Sequence, residues 1–152
     1  MKLIPALIAG AALIGTAAHA AEPARQVSVL SHQQAHLLLD KAEQIITGHK
    51  IGGVVVVVDA FGQTIAFDRL DGATLANSEL APKKAHAAAA FGAPTASFQK
   101  KIAEGNPVVV PLPGGQPVKV NGVVIGAIGV STPDGNVDEE AATGALAALN
   151  AG

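Results

Sequence analysis

The stretch VVVVVDAFGQTIAFDR, residues 54–69, decides the fold of this chain. The five consecutive valines at 54–58 form a β-branched run without polar alternation, which predicts a strand buried on both faces of its sheet. Phe61 and Gly62 then turn the chain into residues 63–69, where polar and apolar side chains alternate. Because this connection of about three residues is too short for a parallel crossover, we predict an antiparallel hairpin.

Helical patterns lie on both sides of this hairpin. Apolar residues recur at steps of three and four residues between Ser31 and Gly48, so Ser31 is placed to cap a helix and Gly48 to end it. An alanine-rich pattern opens at Ser78 and stops at Gly92. Three further helices are therefore predicted over residues 78–91, 94–103 and 137–149.

Short strands are predicted in the second half of the chain, over residues 108–110, 117–120 and 123–130. The last of them contains Gly126 and Gly129, and glycine inside a strand indicates a close approach by another backbone, a helix or a ligand. The central valine strand needs cover on both faces, and hairpins and helices are segregated along the chain. The sequence therefore predicts one α+β domain, with an antiparallel sheet between layers of helices.

The first twenty residues have the pattern of a secretory signal peptide. Lys2 is the only charge before Glu22, the 16 residues at 3–18 are almost wholly apolar, and the small residues Ala18 and Ala20 precede the expected cleavage point. A retained membrane anchor is the alternative, although this run is shorter than the roughly 20 residues that span a bilayer. We expect a periplasmic or secreted protein with a signal peptide at 1–20, a flexible arm at 21–29 and one domain at 30–152.

The composition excludes several classes of protein. The 152 residues contain no Cys, Trp or Tyr, and 49% are hydrophobic, while 14% are charged and 3% are aromatic. The absence of cysteine excludes disulfides, thiolate zinc sites, iron–sulfur clusters and cysteine nucleophiles. A net charge of −2 and four aromatic residues, all Phe, provide neither a basic surface nor a row of stacking platforms. Nucleic acid is therefore not an expected partner.

Four ordered blocks of sequence resemble the GlcG/HbpS family of haem-binding and haem-degrading proteins. These blocks are VDAFGQTIAFDRLDGA at 58–73, KKAHAAAAFGAPT at 83–95, PLPGGQPVKVNGVVIGAIGVS at 111–131, and the pair Asp138 and Glu139. The resemblance implies a five-stranded antiparallel sheet flanked by helices as an α/β/α sandwich, a homo-oligomer, and a bound haem or related tetrapyrrole. Two places depart from the family pattern, because Ala87 replaces a common Thr and residues 131–135 replace a Gly-rich segment.

Histidine is the usual neutral ligand for haem iron or a first-row metal, and four histidines lie beyond the predicted signal peptide. His32 and His36 are one helical turn apart, which is the spacing for two ligands of one ion, but no third ligand is visible, and a solvated helix edge is the favoured interpretation. His49 follows a helix end, where a cation suits the dipole. His86 points outward from the alanine-rich helix, so it is either a plain exposed histidine or the ligand of haem iron.

The other candidate haem contacts are Lys83, Lys84, Thr95 and Arg69. The two lysines can meet haem propionates, although Glu79 lies four residues before Lys83 and offers it an ordinary surface ion pair. Thr95 can cap its helix or lie near a ligand at the helix start. Arg69 can instead fix the turn that follows its strand.

Two hypotheses of function follow. The first is an exported haem-binding protein that scavenges or senses haem or degrades it weakly, and the second is a non-haem oligomeric module for a small organic ligand or a partner protein. The sequence contains no nucleophile elbow and no phosphate-binding loop, and no carboxylate pair is selected by spacing. Enzymatic activity would therefore depend on bound haem, whose iron carries the oxygen chemistry.

Overall fold

The computed structural model describes residues 28–105 and 110–151. The predicted signal peptide and nearly all of the predicted arm at 21–29 lie outside the described residues. The elements are α1 (His32–Gly48), β1 (Val54–Asp59), β2 (Thr64–Arg69), α2 (Leu75–Phe91), a 3₁₀ turn (Thr95–Ser97), α3 (Phe98–Ala103), β3 (Gly115–Val120), β4 (Val123–Ser131) and α4 (Gly135–Ala151). None of the described helices is both long and apolar enough to cross a membrane.

The strands form one antiparallel sheet in the order β2-β1-β4-β3. β1 lies in the interior of the sheet, and all five of its valines are fully buried. The predicted hairpin is confirmed, since β1 pairs with β2 antiparallel and Val56 lies opposite Phe67. The α+β class predicted from the sequence is therefore correct.

The prediction of five strands is wrong, because the described sheet contains four. The missing strand was expected at residues 108–110, of which only Val110 is described. Val110 is buried but lies outside the sheet. Pro111 follows it and has no N–H group to donate to a strand ladder, so Val110 is buried without strand pairing.

Helices cover both faces of the sheet. α1 and α4 pack over one face, where Val55 and Val57 join the larger apolar cluster, and α2 packs over the other face, where Val56 is buried among alanines. A Cβ atom on Gly129 would overlap the Ala81 carbonyl oxygen of α2. The close approach predicted from the strand glycines is thus an approach by a helix at Gly129, whereas a Cβ atom on Gly126 would meet the Val58 carbonyl oxygen of β1.

Capping residues set the helix boundaries. Ser31 caps the start of α1, as predicted, and Gln34 completes a capping box with it. α2 begins at Leu75, ahead of the predicted Ser78, because the Thr74 side chain accepts a hydrogen bond from the Asn77 amide and the Asn77 side chain accepts one from the Thr74 amide. α2 ends at Gly92, which adopts the left-handed conformation with φ 59°, as predicted.

Candidate functional site

A shallow cavity of about 300 Å³ lies beside His86 on the outer side of α2. It is lined by the turn between β1 and β2 and by one side of α2, through Ala60, Phe61, Gly62, Gln63, His86, Ala89 and Ala90. Phe61 is 89% exposed. The cavity therefore combines an uncovered aromatic ring, small alanine side chains that admit a flat ligand, and one imidazole.

The imidazole of His86 is held by the neighbouring turn. Its Nε2 lies 2.6 Å from the carbonyl oxygen of Gly62, and because a carbonyl only accepts, Nε2 is the donor in this hydrogen bond. In a neutral ring, the free lone pair then lies on Nδ1. Metal-bound histidines commonly donate their second ring N–H to a backbone carbonyl. Nδ1 of His86 is therefore the nitrogen that is left to bind a metal while the hydrogen bond to Gly62 is kept.

Lys83 lies three residues before His86 on the exposed side of α2. Its Nζ is 3.9 Å from Glu79 Oε2, and both side chains are more than half exposed. An exposed pair of this kind contributes little to stability. Lys83 therefore remains available to an anionic group that docks near His86.

The structure places Lys84 in the interior, away from the cavity. Its Nζ donates hydrogen bonds to Asp138 Oδ2 at 2.6 Å and to the Val130 carbonyl oxygen at 2.8 Å, and the residue is 2% exposed. The second oxygen of Asp138 accepts a hydrogen bond from the Thr132 amide at 2.6 Å. Because Lys84 joins α2 to the start of α4 in this way, it is not free to meet a propionate in this structure.

Thr95 and Arg69 also use their polar groups within the fold. Thr95 is fully buried, and its hydroxyl accepts a hydrogen bond from the Gly115 amide at 2.9 Å instead of capping its own short helix. Arg69 donates to the Ala73 carbonyl oxygen at 2.8 Å and so closes the turn after β2. Of the five predicted contacts, only His86 and Lys83 share one exposed surface.

Three features near the site were missed in the sequence. The exposure of Phe61 and the hydrogen bond from His86 to Gly62 depend on how the β1–β2 turn meets α2. The burial of Ala87 was also missed, and this residue, where the family commonly has Thr, is not among those that line the cavity. Only the order Phe-Gly inside a hairpin turn could have drawn attention to Phe61.

A second group of titratable residues lies between α1 and β2. The pKa of Glu43 is raised from 4.5 to about 7. The largest cause is a hydrogen bond with the Asp68 carboxyl, followed by partial burial and by the negative charges of Asp68 and Asp40. Glu43 Oε1 is buried and makes no hydrogen bond to any of the described residues. This carboxyl therefore retains its proton in the folded protein up to a higher pH than in the unfolded chain.

The raised pKa of Glu43 predicts a fall in stability with rising pH. Since the folded pKa is about 7 and the unfolded value 4.5, the contribution of Glu43 is fully present below pH 4.5 and is lost as the pH rises to 7. We expect the urea concentration at the midpoint of unfolding to decrease as the pH rises from 5 to 8, and we expect Glu43→Gln to flatten this dependence. Glu104→Gln, at an exposed carboxylate, is the control, and an unchanged slope in Glu43→Gln would refute the assignment.

Residues 30–147 match the model of a protein family that is described as haem degrading protein HbpS-like. The corrinoid adenosyltransferase PduO of Salmonella typhimurium is 31% identical over 131 residues, which cover 80% of this chain and 38% of PduO. Protein GlcG of Escherichia coli K12 is 28% identical over 109 residues, covering 68% of this chain and 81% of GlcG. The chain spans about two fifths of the length of the PduO relatives that it matches.

Solved structures show the same similarity. The crystal structure of HbpS is 31% identical, with a TM-score of 0.77 over 88% of this chain and 99% of HbpS. A double mutant of HbpS from Streptomyces reticuli is 30% identical, with a TM-score of 0.78 over 91% and 98% of the two chains. A complex of PduOC with haem is 31% identical, with a TM-score of 0.76 over 81% and 96%. These matches confirm the resemblance found in the four sequence blocks.

Proposed function

Because the chain belongs to the HbpS-like family of haem degrading proteins, we propose that it binds haem in the cavity beside His86. The observation that carries haem as the proposed ligand is the 31% identity and TM-score of 0.76 to a protein whose crystal structure is a complex with haem. The alternative predicted from the sequence, a non-haem binding module, would be supported if the protein did not bind haem.

The described residues at the cavity fit a flat, amphipathic, anionic ligand. The alanines of α2 leave room for a porphyrin face, and Phe61 offers an aromatic ring against it. Lys83 would pair with a propionate, and His86, whose ring is positioned by its hydrogen bond to Gly62, would hold the iron through its imidazole. When bound, haem supplies iron for oxygen chemistry, and the protein binds and orients it.

The size of the cavity supports assembly into a homo-oligomer. At about 300 Å³, it lies at the lower limit of small-molecule sites, about 300–1,000 Å³, so a porphyrin there stays partly uncovered unless a second subunit packs against it. Phe61, Phe67 and Leu75 are 89%, 50% and 77% exposed, and apolar side chains of this size favour burial between copies. Light scattering at micromolar concentration measures the assembly.

We further propose that the protein acts outside the cytoplasm, as a haem scavenger, a sensor component or a weak haem-degrading catalyst. The sequence pattern of residues 1–20 supports export. The intact mass of protein recovered from the periplasm or the medium measures cleavage, which is expected after Ala20 or Ala21. Full-length protein in the membrane fraction would instead support a retained anchor.

Titration of the purified protein with haem tests the proposed function. We expect a saturable shift of the Soret band, and haem that elutes with the protein in gel filtration. Iron-free protoporphyrin is the control, and it should bind more weakly because it lacks the metal that His86 ligates. The absence of a saturable shift would reject haem as the ligand and leave the non-haem binding module as the function.

A further inference from the structure

A pair of histidines lies on α1, away from the proposed haem site. His32 and His36 occupy the first turns of this helix, both are exposed, and their Nε2 atoms are 3.0 Å apart. The ring centroids are 4.3 Å apart and the planes are tilted by 48°. The two Nε2 atoms therefore lie side by side on the exposed surface of α1, within hydrogen-bonding distance of each other.

The distance between the two nitrogens matches a particular coordination geometry. With metal–nitrogen bonds of about 2.0–2.1 Å, two imidazole nitrogens at a right angle lie about 2.9 Å apart, and two at a tetrahedral angle lie about 3.3 Å apart. The observed 3.0 Å fits the right angle, which is typical of tetragonal Cu²⁺ and Ni²⁺ sites. We propose that His32 and His36 form a two-nitrogen chelate for a tetragonal first-row dication, with Cu²⁺ bound most tightly.

The chemistry of the pair is compatible with metal binding. At this separation the two Nε2 atoms cannot both carry hydrogen towards each other, so at least one already presents a lone pair. When the metal binds, the proton on the donor ring moves from Nε2 to Nδ1, which is a change of tautomer, and both rings then ligate as neutral imidazoles.

The surroundings of the pair leave the other coordination positions open. The two rings line a groove of about 610 Å³ together with Leu37, Asp40 and Leu149, which gives room for water ligands. Asp40 lies four residues after His36, on the same side of α1, and its negative charge attracts a cation. Among the described residues no group of three or more His, Cys, Asp or Glu could hold a metal ion, so the protein supplies two ligands and water supplies the others.

A metal bound by this pair would stabilise the protein. The two nitrogens are held together only while residues 32–36 are helical, so the ion binds the folded state more tightly than the unfolded chain. Binding of this kind raises Tm as the free metal concentration exceeds Kd. The stabilisation depends on His32 and His36 together.

Titration of the untagged protein with Cu²⁺ tests this proposal. We expect saturable binding, a higher Tm, and an electron paramagnetic resonance spectrum that shows coupling to two nitrogens. His32→Ala and His36→Ala should each weaken binding by at least about tenfold and leave coupling to one nitrogen. His49→Ala is the matched control, since it removes an exposed histidine just after the same helix, and it should bind Cu²⁺ as the parent does.

Two results would overturn the proposal. One is the absence of saturable Cu²⁺ binding by the parent protein, and the other is unchanged binding when both histidines are replaced by alanine. Because the pair lies on α1 and the proposed haem cavity on α2 and the β1–β2 turn, neither result bears on haem binding. A failed haem titration likewise leaves this proposal intact.

Discussion

Replacement of Lys84 by methionine is expected to lower the free energy of unfolding by about 3–5 kcal/mol, the usual cost of breaking a buried ion pair by removing one partner. Methionine fills a similar volume but leaves the Asp138 carboxylate buried without its cation, and it leaves the Val130 carbonyl oxygen without its donor. Urea unfolding followed by circular dichroism measures the change. A loss below about 1 kcal/mol would show that the pair contributes little to stability.

A second substitution separates the loss of the charge from the loss of packing. Asp138→Asn keeps an oxygen that can accept from the Thr132 amide but removes the negative charge. The double variant Lys84→Met with Asp138→Asn should therefore be more stable than the sum of the two single changes predicts. Additive losses would show that the uncompensated charge is not the cause.

Gly129→Ala is expected to destabilise the protein by at least about 3 kcal/mol, at or beyond the upper end of ordinary overpacking. The added methyl group would overlap the Ala81 carbonyl oxygen and lie 2.6 Å from the Ala85 nitrogen. Both are backbone atoms of α2, so the helix itself must move away from the sheet. Urea or thermal unfolding measures the loss.

Gly48→Ala is the matched control for this substitution. A Cβ atom at Gly48 meets nothing within 4 Å, and the residue is the last of α1. Since alanine is favoured over glycine in a helix by about 1 kcal/mol, stability should stay unchanged or rise by up to that amount. If Gly129→Ala were as well tolerated as Gly48→Ala, the close contact between α2 and β4 would be disproved.

The parts of the fold that depend on local signals could be predicted from the sequence. The valine run of β1, the short turn to β2 and the capping residue Ser31 each act within a few residues, and the structure confirms all three. The start of α2 was predicted less accurately. Thr74 and Asn77 form a capping box that starts the helix at Leu75, three residues before the expected start at Ser78. Several capping residues follow one another there, and the sequence does not rank them.

The parts that depend on distant residues could not be predicted. Lys84 and Asp138 are 54 positions apart and come together only when α2 and α4 meet β4. The sequence therefore offers Lys84 as a partner for a haem propionate and does not reveal its pairing with Asp138. The outward direction of His86 was predictable from helical periodicity, whereas its hydrogen bond to Gly62 required the turn between β1 and β2 to be placed against α2.

The measurement that tests the central claim most directly is the haem titration of His86→Ala beside His32→Ala. If His86 ligates the iron in the cavity beside Phe61, His86→Ala removes the Soret shift of the ligated iron and weakens retention of haem in gel filtration. His32→Ala lies on a different helix and should match the parent in both respects. A parent-like Soret spectrum and full retention in His86→Ala would contradict the proposed site.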